Sequence, residues 1–217
     1  MQWVVELNFV NLINTPFLIL IVQECIIRRG EKYRLEGGPD FENKSLVLII
    51  LIGYIFNLLF GWFGIMCDDA SAAQMLFFQF GTSFAISASV MAGRYTGLRG
   101  QHVAASAYIL LGITHGISLA ALSKAGINAD REATMAMPMI PALIFMFWCN
   151  LFPVWLRLLA IIPIILFSFV YINVHLGDTG VGWTLYSGYG ALQFIEVLWC
   201  IYLFMDWKNL ASQKQKG

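Results

Sequence analysis

The sequence predicts an all-α polytopic membrane protein: a seven-transmembrane-helix bundle with its N-terminus outside and its C-terminus cytoplasmic. Three observations predict it. Of the 217 residues, 59% are hydrophobic and 12% are charged, and the mean hydropathy is +0.72, an apolar content that a water-soluble domain of this length does not need. The apolar residues gather into seven runs, at 5–27, 45–67, 71–93, 102–124, 133–151, 154–175 and 181–205, each matched to a hydrocarbon layer of about 30 Å, or roughly 20 helical residues. Every Lys and Arg except Lys124 and Arg131 falls in alternate connections, the asymmetry expected of cytoplasmic loops.

Each run reads as a helix, because unpaired backbone groups are costly in lipid and the runs far exceed barrel strands in length. The first opens with "MQWVVELNF", without a basic n-region or a small-residue cleavage site, and so reads as a retained span. It carries Asn8, Asn11, Asn14 and Thr15 in its outer half and Glu24 near its inner end. The loop from Arg28 to Lys44 mixes charges with Gly37, Gly38 and Pro39, marking a cytoplasmic turn that touches anionic headgroups.

The fifth run is the least regular. Pro138 and Pro141 stand in its first turns, and only Leu151, Phe152 and Pro153 separate it from the sixth. A re-entrant or kinked pair there would leave six spans, but that would move Lys208, Lys214 and Lys216 to the outer side, so charge favours seven. Trp148, Trp155, Trp199, Tyr202 and Trp207 are assigned to an inner aromatic belt, and 208–217 to a short polar tail. The whole chain forms one domain of a cell (inner or plasma) membrane, with the lipid bilayer as its first partner.

Polar residues inside the runs carry the functional signal. Tyr186, Tyr189, Gln193, Glu196 and Cys200 stand at i, i+3, i+7, i+10 and i+14, a single stripe at 3.6 residues per turn. Leu185, Leu192, Ile195 and Leu198 form the opposite face, which this reading turns to lipid. Glu196 is the sharpest position, since an ionisable group within a span must face a cavity, find a partner or hold a proton. Counting from the outer end places it in the cytoplasmic third, at the depth of Glu24.

Two further stripes follow. Gln79, Ser83 and Ser87 recur at i, i+4 and i+8 in the third run beside Thr82 and Ser89, a pattern that also arises when serines bond their own helix backbone. In the fourth run, Tyr108 and His115 share a face with Ser118, and Gly112 and Gly116 flank the histidine as a small-xxx-small pair. The assembly expected is an outward-facing polar chamber, lined from Asn14, Gln79, Ser83, Ser87, Tyr108, His115, Tyr186, Tyr189 and Gln193, narrowing to Glu196 and Glu24.

This pattern points to a transporter or channel for an ion, a proton-coupled solute or a small neutral molecule. A seven-helix ligand-binding sensor, or a non-catalytic subunit of a larger membrane complex or homo-oligomer, would use the same features. An intramembrane metal or haem enzyme ranks third. His102, His115 and His175 are assigned different depths, which disfavours bis-histidine haem. The cysteines form no metal motif and place Cys67 alone near the outer face, and Met135, Met137 and Met139 lack supporting soft ligands. No lysine lies between Lys124 and Lys208, so covalent retinal on the sixth or seventh helix is impossible. No nucleic-acid partner is expected, and the thirteen basic and thirteen acidic residues, which cancel, are informative only through their positions.

Overall fold

The helices follow from the apolar runs and their ends from local chemistry. In the computed structural model, residues 40–68, 71–122, 134, 136–177 and 182–214 are described. They belong to one compact unit, Asp40–Gly217, and form helices α1 (Asp40–Ile65), α2 (Ala72–Leu98), α3 (His102–Leu122), α4 (Met139–Phe145), α5 (Val154–Leu159), α6 (Ile161–His175) and α7 (Gly182–Lys214). No strand occurs among the described residues.

Ser71 caps α2, its hydroxyl accepting from the Gln74 amide at 3.1 Å. The turn between α2 and α3 is three residues long because Gly100 takes a φ of +74°, while the Gln101 amide reaches back to the Thr96 carbonyl at 2.9 Å. The break between α5 and α6 at Ala160 is explained by Pro163, which cannot donate to the carbonyl four residues earlier and crowds it.

Five stretches are long and apolar enough to cross a membrane: Lys44–Ile65, Ala72–Leu98, His102–Ala120, Val154–His175 and Gly182–Ser212. They point to a multi-pass membrane protein. The burial pattern agrees with that solvent. Ile52, Phe56, Phe63, Ile165 and Phe169 are exposed on the outside, whereas Asn57, Ser89, Thr114, His115 and Glu196 are buried, the reverse of a water-soluble surface. The expected span 5–27 lies outside the described residues. Within 133–151, α4 and the 3-10 turn Met146–Trp148 make an apolar helix shorter than the other five stretches.

α1, α2 and α3 pack in succession, and α7 lies against α1 on one side and α6 on the other. Gly53 permits the first of these contacts, since a Cβ there would stand 2.7 Å from the Ala88 Cβ. A Cβ at Gly112 would likewise stand 3.4 Å from the Ser89 Cβ at the α2–α3 contact, whereas one at Gly116 would meet no described residue within 4 Å.

The central position of α7 corrects three expectations. Leu185, Leu192 and Ile195 are buried rather than lipid-facing, because neighbours cover this helix on more than its polar stripe. Trp199 is a core residue and not part of an interfacial belt: it stacks on Phe152 at 5.9 Å and meets the Tyr108 ring edge-on at 5.8 Å. Finally, α7 continues through Lys208 to Lys214, into the stretch read as a polar tail. Extending an anchored helix adds one hydrogen bond per residue without a new nucleus.

Candidate functional site

The ends of four helices meet around a cavity of about 100 Å³. The alternating course of the chain brings the last turns of α1 and α3 beside the first turns of α2 and α7. From α1 come Asn57 and Gly61, from α2 Phe78 and Thr82, from α3 His115 and Ser118, and from α7 Tyr186, Tyr189 and Gln193. Among the described residues lining it there is no Asp, Glu, Lys or Arg.

Glu196 lies directly behind this wall, with 0% of its surface exposed. Its Oε1 is 3.1 Å from His115 Nε2, and its Oε2 accepts from Asn57 Nδ2 at 3.1 Å. Both partners line the cavity, so the carboxylate communicates with it through one layer of side chains. Asn57 Oδ1 accepts in turn from Gln193 Nε2 at 3.4 Å, a long contact that runs over Gly61. Glycine is needed there, because a Cβ would fall 2.5 Å from Gln193 Nε2.

Below the carboxylate the interior stays polar. Tyr54 and Ser89 share a hydrogen bond of 3.0 Å, while Tyr108 Oη and Trp199 Nε1 are buried without a hydrogen-bond partner among the described residues. Farther along α7, Asp206 accepts from Arg99 Nε at 2.8 Å, Arg99 Nη2 at 3.1 Å and Tyr95 Oη at 2.7 Å, tying α2 to α7. The hydrogen bond to Asp206 pushes the pKa of Arg99 up, so this link stays charged.

The structure brings together His115, Gln193, Tyr186 and Tyr189 around the cavity, with Glu196 behind. Glu196 is not a separate constriction below the chamber residue His115, since the two side chains touch; counting from assumed helix ends ignores side-chain reach. Tyr108 is buried farther down, against Trp199. Ser83 and Ser87 lie on the exposed side of α2, bonding the carbonyls of Gln79 and Ser83 at 2.8 and 3.3 Å, and Gln79 does not line the cavity. Asn14 and Glu24 lie outside the described residues. His102 and His175 are exposed and remote from His115, with His175 Nδ1 on the Tyr171 carbonyl. Among the described residues, no group of three His, Cys, Asp or Glu has metal-holding geometry.

Asn57 was missed. Its signal was present, since Gly53, Asn57 and Gly61 recur every four residues and draw a small or polar face on an otherwise apolar helix. No protein-family model, curated protein or solved structure matches the chain.

Proposed function

We propose that this protein is a transporter whose cavity binds a small polar solute and whose Glu196 couples binding to a proton. In this reading seven spans cross the cell membrane, with the N-terminus outside and the cavity opening outward. The observation that carries the proposal is a carboxylate fully buried in a membrane-crossing helix, yet bonded to two residues, His115 and Asn57, that line the cavity. An intramembrane acid is costly to keep, and a place between a cavity and a proton carrier is a physical reason to keep it.

The coupling follows from hydrogen-bond chemistry. Ionised, Glu196 accepts from both partners; protonated, it must donate to one of them and the local bonds rearrange. His115 reaches both the cavity and the carboxylate and is placed to pass the proton.

The test uses dye-loaded liposomes containing the purified protein. A panel of sodium, guanidinium, urea, glycine and methanesulfonate is added outside, and proton movement is followed. At least one solute should drive pH-dependent flux that Glu196→Gln lowers by about tenfold or more. Absence of flux for the whole panel, or equal flux in a folded Glu196→Gln protein, would contradict the proposal.

A further inference from the structure

Resting on that reading of the cavity, we infer that its ligand is a small organic cation bearing N–H donors, of the guanidinium or alkylammonium kind, which competes with a proton for Glu196. The direction of each hydrogen bond around the cavity leads to this class.

An ionised carboxylate only accepts, so Asn57 must turn its Nδ2 to Glu196, as observed at 3.1 Å. Its Oδ1 then receives Gln193 Nε2, which also reaches the Asn57 backbone carbonyl, both at 3.4 Å, so that with both amide protons engaged the group Gln193 has left to offer a ligand is its Oε1, an acceptor. Ser118 donates its hydroxyl proton to the Thr114 carbonyl at 3.1 Å and keeps only lone pairs. The His115 tautomer that sets Nε2–H on the carboxylate keeps a lone pair on Nδ1. Three residues of the lining therefore present acceptors, and a carboxylate stands one layer behind them.

The remaining wall fits the same ligand. Phe78, Tyr186 and Tyr189 add aromatic rings to the lining, and cations, planar guanidinium groups among them, are attracted to the faces of such rings. The volume of about 100 Å³ is below the roughly 150 Å³ of a cavity that admits benzene, which sets the size of the ligand. An anion would meet lone pairs and a buried negative charge. A neutral donor would satisfy the acceptors but gain nothing from the charge.

Proton competition follows from the same bond order. A protonated Glu196 donates to Asn57 Oδ1, the Asn57 amide turns its Nδ2 toward Gln193, and Gln193 is left with Nε2 to offer. The cavity then holds a donor and has lost its charge, so one cation leaves for each proton taken up. The titratable groups facing Glu196 are His115 and Tyr108 from α3, Tyr54 from α1 and Cys200 on α7 itself. Those of the other neighbours are engaged elsewhere: Tyr95 and Arg99 of α2 with Asp206, Arg157 of α5 with the Phe147 carbonyl, and Tyr171 of α6 against the tilted ring of His175.

Equilibrium dialysis of labelled guanidinium, urea and methanesulfonate against the full chain in lipid nanodiscs tests this. Guanidinium should bind saturably, weaken by up to about tenfold for each unit of acidification as the proton competes, and bind about tenfold or more tightly than urea, its near-isosteric neutral counterpart. Glu196→Gln should remove the pH dependence. Urea binding as tightly as guanidinium, tighter methanesulfonate binding, pH-independent guanidinium binding or no guanidinium binding would each overturn the ligand class. These comparisons use the unmodified protein and decide the matter even where Glu196→Gln does not fold. If another solute of the panel drives Glu196-dependent flux, the transport reading stands without this ligand; if none does, both fall.

Discussion

His115 Nε2 and Glu196 Oε1 lie 3.1 Å apart, joining α3 to α7 across 81 residues of sequence, with the two side chains 5% and 0% exposed. Each is costly to bury alone. His115→Leu should therefore lower stability by about 3 kcal/mol, the scale of breaking a buried pair. Removing both partners, as Glu196→Leu with His115→Leu, should cost less than the histidine change alone. Reversible unfolding in bicelles measures both, and an additive double mutant would mean that the two groups do not depend on each other.

Gly61 separates function from folding. A side chain at this position strikes the Gln193 amide, the movable end of a flexible side chain. Gly61→Val should reduce solute-driven flux by about tenfold with little loss of stability. By contrast, Gly53→Val should wedge α1 from α2, because the atoms it meets include the Ala88 Cβ at 2.7 Å and the Phe84 carbonyl oxygen at 3.0 Å. Thermal unfolding and flux on the same two variants check the contrast.

Two buried tyrosines should respond in opposite ways to loss of the hydroxyl. Tyr54→Phe removes the bond to Ser89 and should cost about 1 kcal/mol. Tyr108→Phe removes a buried oxygen that has no partner, and should be neutral or stabilising while its edge contact with Trp199 persists. Equal losses in the two variants would show that Tyr108 Oη is satisfied in the folded protein.

Arg99 and Asp206 form a two-pronged pair whose side chains are 33% and 20% exposed, so solvent screens part of its strength. A double-mutant cycle to Ala should give a coupling of about 1 kcal/mol that falls with added salt. The pKa of Arg99 is raised above its ordinary, strongly alkaline value by the hydrogen bond to Asp206, so its contribution is fully present below that ordinary value and is lost only as pH rises through the higher folded one. Stability measured from neutral to mildly alkaline pH should show no step from this pair.

The five membrane-length stretches were legible because membrane-crossing runs announce themselves by length. The α7 stripe was legible too, since Gln193 and Glu196 would be intolerable facing lipid. Ser83 and Ser87 misled by the same logic: a hydroxyl can satisfy itself on its own helix and remain on the lipid side. The burial of Leu185, Leu192 and Ile195 could not be read from amphipathicity, because periodicity marks only the polar face of a helix covered by several neighbours. The pairing of His115 with Glu196 depended on α3 and α7 coming within side-chain reach of each other, which no local pattern encodes.

In the proposed transport reading, Glu196 exchanges its proton with the cavity through His115. Infrared difference spectroscopy of the protein in lipid, stepped from mildly alkaline to mildly acidic buffer, reads this directly as the protonated-carboxyl stretch. A band should appear on acidification, vanish in Glu196→Gln and shift in His115→Gln. A spectrum with no Glu196-dependent carboxyl change over that range would contradict the account.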